Sequence, residues 1–157
     1  MKNIREQYKK VVVGNRYDLP KAGEHTMSII NSGIKANKMP ETERMYVEAN
    51  HAGCCLHYSM YLVSLLHEAG IECYFTITPE EDGGNHCSVL YFDEKGNKVI
   101  ADPVMDIKAG TVDKHMCIPY DEFVENAIRH EISHYDVFGI NGEEAFFNGF
   151  LTDCKLR

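Results

Sequence analysis

Apolar residues recur along the chain at two different periods, and the change falls near Gly70. Before it the spacing is helical. Ile4, Tyr8, Val11 and Val12 predict a short amphipathic helix over residues 1–13, and residues 14–23 read as a connection. Met27, Ile29, Ile30 and Ile34 predict a second helix over 26–36, weakened by Gly33. A third opens after Pro40 and carries Met45, Tyr46 and Val47 over residues 41–49. The run from Gly53 to Gly70 differs from these. Its apolar residues Tyr58, Met60, Leu62, Val63, Leu65 and Leu66 cover nearly the whole circumference, which predicts a buried helix. Gly70 suits the left-handed position that stops it.

Beyond Gly70 the pattern predicts strands. Residues 73–78 are aromatic and β-branched and end at Pro79, while 87–92 and 98–101 read as the two arms of a hairpin. Between the arms, Asp93-Glu94-Lys95-Gly96 fits a type I turn followed by a left-handed glycine. That turn pairs Asp93 with Asn97, which sets Ser88 opposite Asp102 and His86 opposite Val104. His86 and Asp102 become diagonal neighbours on one face, and a slip of one residue would separate them. A loop is expected from Pro103 to Pro119, then a helix over about 121–135 with Asp121 as its cap. The apolar tail with Phe146, Phe147, Phe150 and Leu151 is expected to dock on the core. The order of elements predicts an α+β fold, with the buried helix packed on a mainly antiparallel sheet in one domain over residues 1–157.

Composition narrows the class. At 157 residues, 44% apolar and 25% charged, the chain matches an ordinary globular domain. A net charge of −8 without a Lys/Arg cluster argues against nucleic acid or an anionic membrane as partner, and suits a neutral or basic peptide. The first residues lack the apolar segment of a signal peptide, and no run approaches a transmembrane span of ~18 apolar residues. The six cysteines do not have scaffold spacing, so reduced thiols and a cytoplasmic location are the expectation.

Three features carry chemistry: a thiol in the first turn of the buried helix, an imidazole that starts a strand, and a carboxylate that ends the next. Acyl transfer through a thioester needs these three roles. The thiolate attacks a carbonyl carbon, the imidazole moves the proton, and the carboxylate orients the imidazole. The positive end of the helix dipole is expected to lower the thiol pKa, and the first-turn N–H groups to receive an oxyanion.

The sequence Gly53-Cys54-Cys55-Leu56-His57-Tyr58-Ser59 resembles the Gly-x-Cys-x-x-aromatic-small motif of the transglutaminase-like superfamily, which includes transglutaminases, peptide N-glycanases and bacterial cysteine proteases. Leu65-Leu66 with Ala69-Gly70-Ile71 is similar to that family's helix exit, Asn85-His86 to its histidine box, and Ile100-Ala101-Asp102-Pro103 to its aspartate box. The resemblance spans residues 53–104, a third of the chain. It implies a transglutaminase-like (papain-like) core with Cys55 as nucleophile, His86 as base and acid, Asp102 as orienter, and no cofactor. The chain has no Trp, a residue that eukaryotic transglutaminases use near the active site, and no acidic run like their calcium sites. Hydrolysis of a peptide or other amide is therefore implied in preference to protein cross-linking.

A rival reading starts from His130-Glu131-Ile132-Ser133-His134, which satisfies H-E-x-x-H on a predicted helix and would make the chain a zinc peptidase. The other reading of the segment is an exposed polar helix face. A third reading of the whole chain is a non-catalytic binding module on the same fold. Around the thiol, Cys54 is expected to point into the core and His51 and His57 to be partly exposed. Asn50 is a candidate oxyanion donor by proximity alone.

Overall fold

The computed structural model describes residues 4–22, 25, 26, 28–33, 36, 38–79, 85–129 and 136–138. Four of its helices surround or form the first half of the core: α1 (Ile4–Val12), α2 (Leu19–Ala22), α3 (Glu41–Asn50) and α4 (Cys55–Glu68). Short strands β1 (Arg16–Tyr17) and β2 (Ala52–Gly53) lie between them and pair in parallel. The second half contributes β3 (Cys73–Pro79), β4 (Asn85–Phe92), β5 (Lys98–Ala101), α5 (Pro103–Ala109), β6 (Ile118–Pro119), α6 (Tyr120–Arg129) and β7 (Asp136–Phe138). A five-stranded sheet runs β6-β5-β4-β3-β7, antiparallel at every junction. The fold is α+β.

The helix with apolar residues all round is buried, as its pattern requires. Helix α4 packs on β3 and β4 and on α1, α3 and α5, with Tyr58, Met60, Leu62, Val63 and Leu66 at 0% exposure. Its two buried serines break the apolar surface. Ser64 accepts from the Met39 backbone N–H at 2.7 Å, so that its hydroxyl secures the chain segment ahead of α3.

The hairpin keeps the register that its turn dictates. Val89 pairs with Ala101 and Phe92 with Lys98, and the Asp93 N–H donates to the Asn97 carbonyl at 3.0 Å. Gly96 holds φ at 80°, the left-handed conformation that closes the turn. Both Asp93 carboxylate oxygens accept from the turn, from Lys95 and Asn97.

Two expectations need correction among the described residues. Residues 103–109 form α5, not a loop: Asp102 caps it by accepting from the Met105 N–H at 3.2 Å, and Pro103 sits at its first turn, where no N–H is required. Of the helix expected over 26–36, residues 29–33 are described and form one π-helical turn, and a Cβ on Gly33 would lie 2.9 Å from the Pro40 ring. The connection at 14–23 also holds structure, in β1 and α2. Helix α6 is described to Arg129, and the expected tail lies outside the described residues.

Candidate active site

Strand pairing aims the start of α4. The β1–β2 bridge fixes Gly53, whose carbonyl accepts from the Asp18 N–H at 3.0 Å, and the Tyr58 hydroxyl donates to the Arg16 carbonyl at 2.5 Å. A Cβ on Gly53 would lie 2.9 Å from the His57 Cβ and 3.2 Å from the Tyr58 ring, so only glycine lets the chain pass beneath its own helix here. Cys54 is then the N-cap and Cys55 the first helical residue. At that position the N–H groups of Cys55 and Leu56 are among those that the helical ladder leaves over.

The second and third predicted residues meet. His86 Nε2 lies 2.6 Å from Asp102 Oδ2, with both side chains largely buried. Their contact follows from the register, which carries both residues to one face at the open end of β4 and β5. Asp102 is gripped from four sides. Its N–H donates to the His115 carbonyl at 2.8 Å, its carbonyl accepts from the Tyr8 hydroxyl at 3.0 Å, and its two carboxylate oxygens serve Met105 and His86. A carboxylate can only accept, so Nε2 carries the ring proton and Nδ1 the lone pair of a neutral His86.

Cys55 faces strand β4 at the residue after His86. Its sulfur meets both the thiol and the backbone N–H of Cys87, and also the Cys54 thiol. The Cys54 thiol pulls the Cys55 pKa down, but the Cys87 thiol and burial push it up by more, and the net result is about 12. The lowered thiol expected from the helix dipole is thus corrected: burial and a neighbouring thiol outweigh the dipole, and the resting group is neutral. The thiols of Cys54, Cys55, Cys73, Cys87 and Cys117 are all free.

Among the other neighbours, His57 departs from expectation and Cys54 meets it. His51 is exposed and turns the chain after α3 at φ 51°, but His57 has no exposed surface. Its ring is enclosed by Glu43 and Tyr46 of α3 and by Cys54. Cys54 is buried, and Asn50 spends its amide on the Tyr46 carbonyl at 2.8 Å, within its own helix. Sequence reasoning missed Glu43. The signal was its place one turn before Val47, on the inward face of α3.

No family model matches the chain, and no curated protein does. Among solved structures, one described as the crystal structure of a TGase is similar over 64% of this chain and 25% of its own, at 15% identity and a TM-score of 0.44. The chain therefore spans a quarter of that structure's length. His130, Glu131 and His134, on which the zinc alternative rests, lie outside the described residues. Among the described residues no helix is long and apolar enough to cross a membrane.

Proposed function

We propose that this chain is a thiol-dependent acyl-transfer enzyme of transglutaminase-like type that hydrolyses a peptide or other amide bond. The observation that carries the reading is the 2.6 Å pair of His86 and Asp102, set beside the strand residue that Cys55 touches. Asp102 holds the tautomer in which His86 Nδ1 is a base. With the thiol neutral at rest, the proton leaves as attack begins: Nδ1 takes it while the Cys55 sulfur bonds to the carbonyl carbon. The carbonyl oxygen becomes an oxyanion, which the N–H groups of Cys55 and Leu56 are placed to receive, each such donor typically worth ~3 kcal/mol of barrier. Collapse breaks the C–N bond, and His86 returns the proton to the leaving amine. A water, deprotonated by His86, then cleaves the thioester and restores the thiol. A net charge of −8 favours neutral or basic peptides as the substrate class.

Covalent capture by an acyl-transfer probe, read by intact mass, tests this directly. Cys55→Ala abolishes capture, and His86→Ala and Asp102→Asn slow it strongly; a comparable Asp→Asn change in a serine protease costs ~10⁴ in turnover. The triple variant is scarcely worse than the worst single one, because groups that act in one step are not additive. Undiminished capture in Cys55→Ala overturns the mechanism. Capture in Asp102→Asn at the rate of the unaltered protein overturns the aspartate's role and leaves the nucleophile standing.

A further inference from the structure

Two exposed side chains of α5 stand next to the site without a role in it. The helix begins at Asp102, whose carboxylate holds both His86 and the Met105 N–H. The acidic residues here face inward: Asp102 and Asp106 are buried and engaged, the latter by Tyr8, Thr111 and His115. The outer face of α5 carries Met105, 44% exposed, and Lys108 one turn on, also exposed. Residues three apart on a helix are neighbours, so the thioether and the ammonium share one strip. Lys108 Nζ lies 4.1 Å from the centroid of the Tyr17 ring. Tyr17 belongs to β1 and pairs with Gly53, two residues before Cys55. This contact therefore joins the helix that starts at the orienting aspartate to the strand that fixes the nucleophile's helix. Among the described residues no carboxylate pairs with Lys108, and Asp113, in the loop after α5, is taken by Arg5 at 2.8 Å. An ammonium has three N–H donors, and one that lies over a ring keeps its outer side open to an anion.

We propose that Lys108, with Met105 and Tyr17, forms a substrate subsite that takes a carboxylate near the scissile bond, from an acidic side chain or from the end of the peptide. The inference rests on the reading of Cys55 as the nucleophile and names one feature of its substrate. The methylene stem of such a residue lies on the Met105 thioether and the Tyr17 ring, and its carboxylate reaches the Lys108 ammonium. Apolar contact and charge pairing act together, since either one alone is weak at an exposed position. The net charge of −8 does not oppose this. It acts on the peptide as a whole, through a field that salt screens beyond about 8 Å, whereas the subsite meets one group at contact. The recognised peptide is thus neutral or basic overall and bears one carboxylate at this place. A lysine or arginine there meets the like charge of Lys108 and is disfavoured.

Capture of peptide vinyl sulfones by the Cys55 thiol, followed by intact mass and peptide mapping, tests the subsite. Acetyl-Glu-Gly, acetyl-Gln-Gly and acetyl-Lys-Gly vinyl sulfones place a carboxylate, its neutral isostere and an ammonium on the acyl side. An acetyl-Gly-Gly vinyl sulfone with a carboxyethyl or an ethyl substituent on sulfur places the charge on the leaving-group side. In the unaltered protein one of the two carboxylate probes is captured about fivefold faster than its neutral counterpart. The arm that shows the preference tells a side-chain carboxylate from a terminal one. Each ratio is taken within one protein, so any change in the thiol itself cancels. Lys108→Met abolishes the preference, Lys108→Glu inverts it, and Met105→Glu weakens it by setting a like charge on the same strip. Both altered side chains are exposed, so the core is untouched. Equal capture of charged and neutral probes in both arms overturns the proposal, as does a preference that survives Lys108→Glu. The labelled residue decides the underlying reading separately. Label that maps to Cys55 and disappears in Cys55→Ala upholds the nucleophile whatever the ratios, and label that persists in Cys55→Ala overturns it and the subsite with it.

Discussion

Opposed influences meet at Cys55. The helix terminus and the Cys54 thiol favour its thiolate, whereas the Cys87 thiol and burial oppose it and prevail. With the pKa at about 12, the thiolate fraction near neutrality is small and grows with pH. Alkylation of Cys55 should therefore climb steadily through about pH 7 to 10 without levelling off; a plateau below about pH 7 would mean a preformed ion pair with His86. Gly53 offers a second measurement at this scale. Gly53→Ala forces a methyl against His57 and Tyr58, both without exposed surface to yield into. The expected cost is about 1–3 kcal/mol in chemical denaturation, with loss of acyl capture because the turn before Cys55 shifts. An unchanged midpoint would show that the helix start gives way freely. The motif spacing singled out Cys55 in the sequence. Its environment was not legible there, since it depends on Cys87, 32 positions along, and on burial that no local pattern displays.

Among the elements, the hairpin was the most legible, because its turn chemistry is local and its register follows by counting. Asp at the start of the turn and Gly at its left-handed position sufficed to bring His86 to Asp102. Helix α5 was hidden because it is only 7 residues long and opens with a proline after a strand, so the Asp-Pro pair read as a strand end. The same pair is in fact a cap followed by a first-turn proline. Asp102 thus serves an element and a site together, and the two roles separate experimentally. Asp102→Ala removes the acceptor for Met105 and should cost about 1 kcal/mol of stability, whereas Asp102→Asn keeps a cap oxygen and should cost only a few tenths. Both should lose acyl capture. If Asp102→Ala and Asp102→Asn are equally destabilised, the capping bond contributes nothing measurable. The line from Glu43 to Cys54 escaped notice for a related reason. It joins two helices across 11 positions, so its members are not neighbours in any local pattern.

At the scale of the molecule, one buried carboxylate ties α1 and the loop after α5 to the end of the sheet where His86 and Asp102 meet. Asp106 has no exposed surface and accepts from the Tyr8 and Thr111 hydroxyls, from the backbone N–H groups of Lys114 and His115, and from His115 Nδ1 at 3.0 Å. The Tyr8 hydroxyl also reaches the Asp102 carbonyl, and the His115 carbonyl receives the Asp102 N–H, so Asp106 braces the residue that orients His86. Burial pushes the Asp106 pKa up, but its hydrogen bonds to Thr111, Tyr8 and His115 together pull it down further, and it ends below the ordinary carboxylate value. A carboxyl held lower in the folded state than in the unfolded chain contributes stability that is complete above the unfolded pKa of ~3.9 and is lost as pH falls through the folded value. Asp106→Asn should lower stability near neutrality by about 2–4 kcal/mol, because an amide NH₂ cannot accept and donors packed around it lose their partner. It should also flatten the acid limb, since the group no longer titrates. Urea unfolding across a series of pH values measures both effects on one protein. Equal slopes below about pH 4 in the two proteins would mean that Asp106 does not carry the acid sensitivity of the fold. A variant that keeps its stability but loses the His86–Asp102 pair, seen as slower acyl capture, would place the brace at the site alone.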